Sequence, residues 1–163
     1  MKRTFFSLAL LLAVATLTAQ TKMTAREAAV KIADRILAST TYEFKNTKTG
    51  EIYKSVKKLP LDMDVKVACK YNNWHYTNGV TNMALMELGD KLGDKKYEKY
   101  VLKNMNFVFN EGNLDFFRKQ YDEAFKRDGW NAVRKLSWHM IFRGKRLDDN
   151  GPIGASLIEL QLK

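Results

Sequence analysis

Arg146–Leu160, RLDDNGPIGASLIEL, is the stretch on which the reading of the fold turns. Two adjacent carboxylates, Asp148 and Asp149, precede Gly151-Pro152, and proline is at home in a first helical turn. The pattern therefore predicts a loop that carries the acids and a helix that begins near Gly151. Ala155, Leu157, Ile158, Leu160 and Leu162 make that helix apolar on most faces, the profile of a buried inner helix. Asn72–Leu88, NNWHYTNGVTNMALMEL, has the same shape. Setting Gly79 on Gly151 puts Leu85, Glu87 and Leu88 on Leu157, Glu159 and Leu160. A repeat of this kind predicts an all-α chain of helical hairpins in which like helix ends face the same way. The rim so formed would carry Trp74, Tyr76 and the acid pair.

The segments between fit that plan. Met23–Ser39 reads as a helix, with Thr24 at the N-cap and Glu27 three residues on, a capping-box spacing. Ala28, Ala29, Ile32, Ile36 and Leu37 form its apolar stripe. Residues 41–70 lose helical periodicity: Thr49-Gly50 separates two short alternating runs, Leu59-Pro60 breaks the chain, and Asp64–Ala68 is extended, so a hairpin excursion is expected. Asn73–Leu92 is predicted as the second helix. Gly93-Asp94 closes it, and Asp94 caps a third helix that runs back antiparallel with lysines on its outer side. A further helix is expected over Asn113–Phe125, stopping before Gly129-Trp130. Trp130–Phe142 is mixed, an irregular or short helical approach to Arg146.

At the N-terminus, Lys2 and Arg3 followed by the apolar run Phe5–Val14 and small residues to Ala19 read as a secretory signal peptide over residues 1–19. The run falls well short of the roughly 20 residues that span a bilayer. A periplasmic or secreted protein with no membrane segment after signal removal is the expectation. Cys69 is the lone cysteine, which excludes an internal disulfide and a cysteine-based zinc cluster. Without residues 1–19 the chain holds 26 basic and 18 acidic side chains, a balance that favours anionic partners. The basic residues are scattered. Where they interleave with aromatics, from Tyr97 to Phe109, they do so at helical spacing, so no nucleic-acid surface is expected.

Asp148 and Asp149 are the candidate catalytic groups, as a general acid/base or a substrate-positioning carboxylate. The competing explanation is that one of them caps the helix, since acids are stabilised at helix N-termini. Adjacent residues rarely aim at one atom, so a second carboxylate is needed elsewhere for paired-acid chemistry. Trp74, His75 and Tyr76 are candidates for substrate binding, because aromatic rings stack on the CH faces of sugars; an aromatic plug at a helix end is the alternative. His75 and His139 lack metal-ligand spacing, so no metal and no cofactor are expected.

NNWHYTNGVTNMALMELGDKLGDKKYEKYV followed by RLDDNGPIGASLIEL resembles the unsaturated glucuronyl and rhamnogalacturonyl hydrolases, glycoside hydrolase families 88 and 105. TYEFKNTKTGEIYKSVKKLP also looks like the segment before the W-x-Y-x-x-G opening in exported members. The resemblance implies an (α/α)6 barrel with its cleft at one end and an anionic oligosaccharide substrate. It also implies hydration of a Δ4,5-unsaturated uronic acid: an aspartic acid protonates the C4=C5 bond, water adds at C5, and the hemiketal collapses. Asp149 matches the cleft aspartate first and Asp148 second, and Trp74 and Tyr76 match the aromatic rim. A second aspartate, which the family places in a later hairpin, has no match here, and Asn150 stands where many relatives carry cysteine. Residues 20–163 are thus expected to be a truncated N-terminal portion of the barrel, inactive alone. The alternative is a non-catalytic helical-repeat module that binds acidic polysaccharide or a protein partner.

Overall fold

The structure, a computed structural model, describes residues 23–145 and 147–163. The side chain of Asp149 lies outside the described set, as do Arg146 and the signal-peptide reading of residues 1–19. The chain divides into a unit ending at Ile32 and a second unit, Ala33–Lys163. Among the described residues the elements are helix α1 (Ala25–Ser39), strands β1 (Phe44–Asn46), β2 (Ile52–Tyr53) and β3 (Val65–Val67), and helices α2 (Tyr76–Leu92), α3 (Lys96–Val108), α4 (Glu111–Val133), α5 (His139–Arg143) and α6 (Leu147–Gln161). The chain is mostly helical, as expected.

In the first unit the capping box forms as spaced. Thr24 N and Oγ1 donate to Glu27 Oε2 at 2.8 and 2.9 Å, and Glu27 N donates back to Thr24 Oγ1 at 3.2 Å. Glu27 is the third helical residue, so two otherwise orphaned backbone donors are satisfied reciprocally.

In the second unit the excursion after α1 is a small antiparallel sheet of order β2-β1-β3. Phe44 pairs with Tyr53 on one side and Val67 on the other. Phe44 and Asn46 are buried while Lys45 is exposed, the period-two alternation of a strand with one covered face. The turn is held by Asn46, whose Oδ1 accepts from Lys48 N and Thr49 N at 2.9 and 3.1 Å. Gly50 supplies the left-handed residue at φ +79°.

Helices α2 and α3 form the expected antiparallel hairpin. Gly93, left-handed at φ +66°, donates to Asp90 O, and Asp94 N donates to Gly89 O at 2.9 Å, a Schellman closure. Asp94 Oδ1 then accepts from Lys96 N at 3.0 Å and starts α3. Gly89 permits the tight approach, since a Cβ there would stand 3.0 Å from Asp94 O.

The two stretches matched in sequence lie side by side. Trp74 Nε1 donates to Asn150 Oδ1 at 2.8 Å before α2 and at the start of α6. Further along, Gly79 faces Pro152 and Ile153, and at the far ends Lys163 pairs with Asp90. The contacts advance together along both chains, so α2 and α6 run parallel, like end beside like end. Leu85, Met86, Tyr97, Val101, Met105 and Ile153 form the core between α2, α3 and α6, and Ala33, Ile36 and Leu37 of α1 pack on it. A second core joins Phe44 and Val65 of the sheet to Val108, Phe117 and Trp138.

Several boundaries differ from expectation. Helix α6 begins at Leu147, so the aspartates sit in its first turn rather than in a loop, and Pro152 is its sixth residue. Proline has no N–H to offer the carbonyl four residues back; here that carbonyl belongs to Asp148, close to a helix end. Among the described residues, α6 is covered on one side only. Ile153 and Ser156 are buried, but Leu147, Ile158 and Leu162 are exposed. α2 starts at Tyr76, not Asn73, because Lys70–Asn72 forms a 3-10 turn. α4 extends from Glu111 to Val133, with Asn110 as its cap and a break at Asp128-Gly129 where a stop was expected. Within 130–142, fully buried Trp138 adopts φ 58° before α5.

Candidate functional site

The loop that leads into α2 is tied down by asparagines. Asn73 Oδ1 accepts from Trp74 N at 3.0 Å and from Trp138 N at 3.4 Å. Trp138 Nε1 donates to Asn72 O at 2.8 Å. Asn78, one turn into α2, reaches back to donate to Lys70 O and Asn73 O at 2.9 and 2.6 Å. A loop whose backbone groups are bonded to side chains in this way holds its shape, and it fixes Trp74 between the two cores.

Trp74 is half-buried, edge-on to Phe109 with ring centroids 5.7 Å apart, and its indole nitrogen is bonded to Asn150. The ring is thus a plug that links the starts of α2 and α6. His75 is the N-cap of α2, and its Nδ1 accepts from Thr77 N at 3.4 Å. Tyr76 stacks obliquely on His75 at 4.7 Å and is 46% exposed. Of the three aromatic candidates, His75 and Tyr76 are exposed to a ligand and Trp74 is not fully so. Val80 and Met83 continue the exposed stripe of Tyr76 along α2, at the i+4 and i+7 spacing of one helix face.

Asp148 is exposed in the first turn of α6, and Asp149 follows it in the helical backbone. The structure therefore brings Trp74 to the residue next to Asp149. Two parallel helix N-termini lie together there, and their partial positive charges favour anionic groups. Among the described residues, no three His, Cys, Asp or Glu side chains gather as metal ligands would.

Sequence reasoning passed over two features of this region. Asn150, noted there only as a departure from cysteine, is the partner of Trp74. Asn72, Asn82 and Asn104 are buried beside Trp74 around a small pocket. The signal for them was present: asparagine at apolar positions of a helical repeat, as in TNMALM and LKNMNF. A larger cleft of about 430 Å³ lies between β3 and the break in α4. It is lined by Asp62, Asp64 and Asp128 together with Lys66, Arg127 and Lys135, so its charges offset one another. Burial holds the Lys66 ammonium below its usual range, and Lys66 Nζ donates to Lys135 O at 2.5 Å.

No family model, no curated protein and no solved structure matches the chain.

Proposed function

We propose that the chain belongs to a glycoside hydrolase of the unsaturated uronyl class, acting on lyase-generated oligosaccharides of the pectin or rhamnogalacturonan type. The observation that carries this is the parallel pairing of two matched helix starts, joined by the Trp74–Asn150 hydrogen bond. Inner helices of an (α/α)6 barrel run parallel to one another with their outer partners antiparallel, and α2, α3 and α6 have that relation. The exposed apolar faces of α2 and α6 are then where further hairpins of the barrel pack.

In this reading Asp149 is the cleft acid and Asp148 the second choice. One of them protonates C4 of the double bond, water adds at C5 and returns a proton to the carboxylate, and the hemiketal so formed collapses to release the sugar, a general acid/base sequence. Tyr76 stacks on the sugar, and Trp74, bonded to Asn150, anchors the loop that leads to it. The paired helix N-termini and the basic balance of the chain favour the uronate carboxylate. Only one of the two aspartates that the resemblance implies has a match in these 163 residues, so they are expected to give no turnover alone.

The test is incubation of the gene's full natural product with lyase-digested pectin and rhamnogalacturonan, following loss of the ultraviolet absorbance of the C4=C5 bond. Loss is expected, and Asp149→Asn should abolish it with little change in melting temperature. Binding of acidic polysaccharide that ignores the double bond, with no turnover, would replace this reading by the helical-repeat module.

A further inference from the structure

We propose that the asparagine-lined pocket beneath Trp74 is a binding site for a single uncharged hydrogen-bond donor, a water molecule that bridges Asn72 to Asn104. Asn72, Asn82, Asn104, Trp74, Met105 and Ile153 surround it, where α2, α3 and α6 meet the loop. Asn72 is 2% exposed and Asn104 4%. Their orientations are set by their other neighbours. Asn72 Nδ2 donates to Thr41 O at 2.5 Å, and the Asn104 amide sits against the Tyr100 phenol. That leaves each Oδ1 as the free end, and neither has a partner among the described residues.

Two buried acceptors without donors carry a desolvation penalty that an occupant with two hydrogens to give would remove. The size of the pocket selects which. Its free volume is about 20 Å³, enough for one water and too little for a larger ligand. Charge excludes a metal ion: the walls offer neutral amides and apolar groups, with no carboxylate, whereas a cation taken from water needs several oxygen ligands. A bridging water there ties the segment that carries Trp74 to the middle of α3. The site does not depend on the catalytic reading above.

The deciding measurement is a crystal structure of the intact chain at about 1.5 Å, soaked in rubidium chloride. One solvent peak at roughly 2.7–3.1 Å from both Oδ1 atoms, without anomalous signal, is expected. A rubidium signal, no peak, or amides turned onto protein donors would each overturn the proposal. In solution, Asn104→Leu should speed backbone amide exchange in residues 72–74 by roughly tenfold. Asn106→Leu, on the exposed side of α3, should leave it slow. Unchanged exchange in Asn104→Leu would also refute the bridge.

Discussion

Gly79→Ala is the sharpest probe of the way α2 and α6 meet. A methyl group built there falls on the backbone nitrogen of Ile153 and the carbonyl carbon of Pro152, and 2.8 Å from Pro152 Cβ. Two of these three obstacles are backbone, so no rotamer change clears them and the helices must part. Overpacking of this kind costs about 3 kcal/mol at the upper end of its range. Replacing a helical glycine by alanine returns about 1 kcal/mol of propensity, leaving a net loss of about 2 kcal/mol. For a chain of this size that is a fall in melting temperature of roughly 4–8 °C. Gly154→Ala is the internal control, because a methyl group there meets nothing within 4 Å. It keeps the propensity gain and should raise the melting temperature by roughly 2–4 °C. Thermal melts followed by circular dichroism read both signs. A Gly79→Ala protein that melts at or above the parent would mean that α2 and α6 do not touch at this point.

Asp34 takes hydrogen bonds from Lys96 Nζ at 2.8 Å and Tyr97 Oη at 2.9 Å, which hold its carboxyl below the usual range. A depressed folded pKa stabilises fully above the unfolded value of about 3.9 and is lost as pH falls through the folded value. Asp34→Asn should therefore melt below the parent at pH 7, with the gap closing towards pH 2; a gap that persists there would contradict the assignment. Trp138→Ala removes a fully buried ring and the donor to Asn72 O, and should cost about 3–5 kcal/mol in a urea titration; a loss below about 1 kcal/mol would show that the second core is not built around this ring.

What could be read from the sequence was whatever is local or periodic. The Thr24–Glu27 box, the turn at Thr49-Gly50 and the Gly93-Asp94 hairpin each depend on residues within five positions of one another, and each formed. The match between Asn72–Leu88 and Arg146–Leu160 also had a spatial meaning, since the two helices became parallel neighbours. The start of α6 was misplaced because Gly151-Pro152 is a strong local signal for a first turn. Pro152 leaves the Asp148 carbonyl without its intrahelical donor, and that loss is small where the residue is exposed and the carbonyl can turn to water.

Residues whose role is tertiary stayed hidden for a different reason. The left-handed backbone of Trp138 carries no local signature, because tryptophan does not favour φ above zero. It is held by full burial and by hydrogen bonds from its main-chain and indole nitrogens to the 72–73 segment. Trp74 was legible as an aromatic at a helix start, yet its neighbours decide between plug and open stacking face. Phe109 packs against its ring and Asn150 holds its nitrogen, while Tyr76 keeps an exposed ring. An asparagine between two helix starts therefore bears directly on the geometry of the candidate cleft. Asn150→Leu would free the indole nitrogen and detach Trp74 from the turn that carries Asp148, whereas Asn150→Asp keeps an acceptor there. If the Trp74–Asn150 bond fixes the loop that leads to Tyr76, ligand affinity should fall in the leucine variant and be largely retained in the aspartate one. Equal affinities in the two would separate Trp74 from the site.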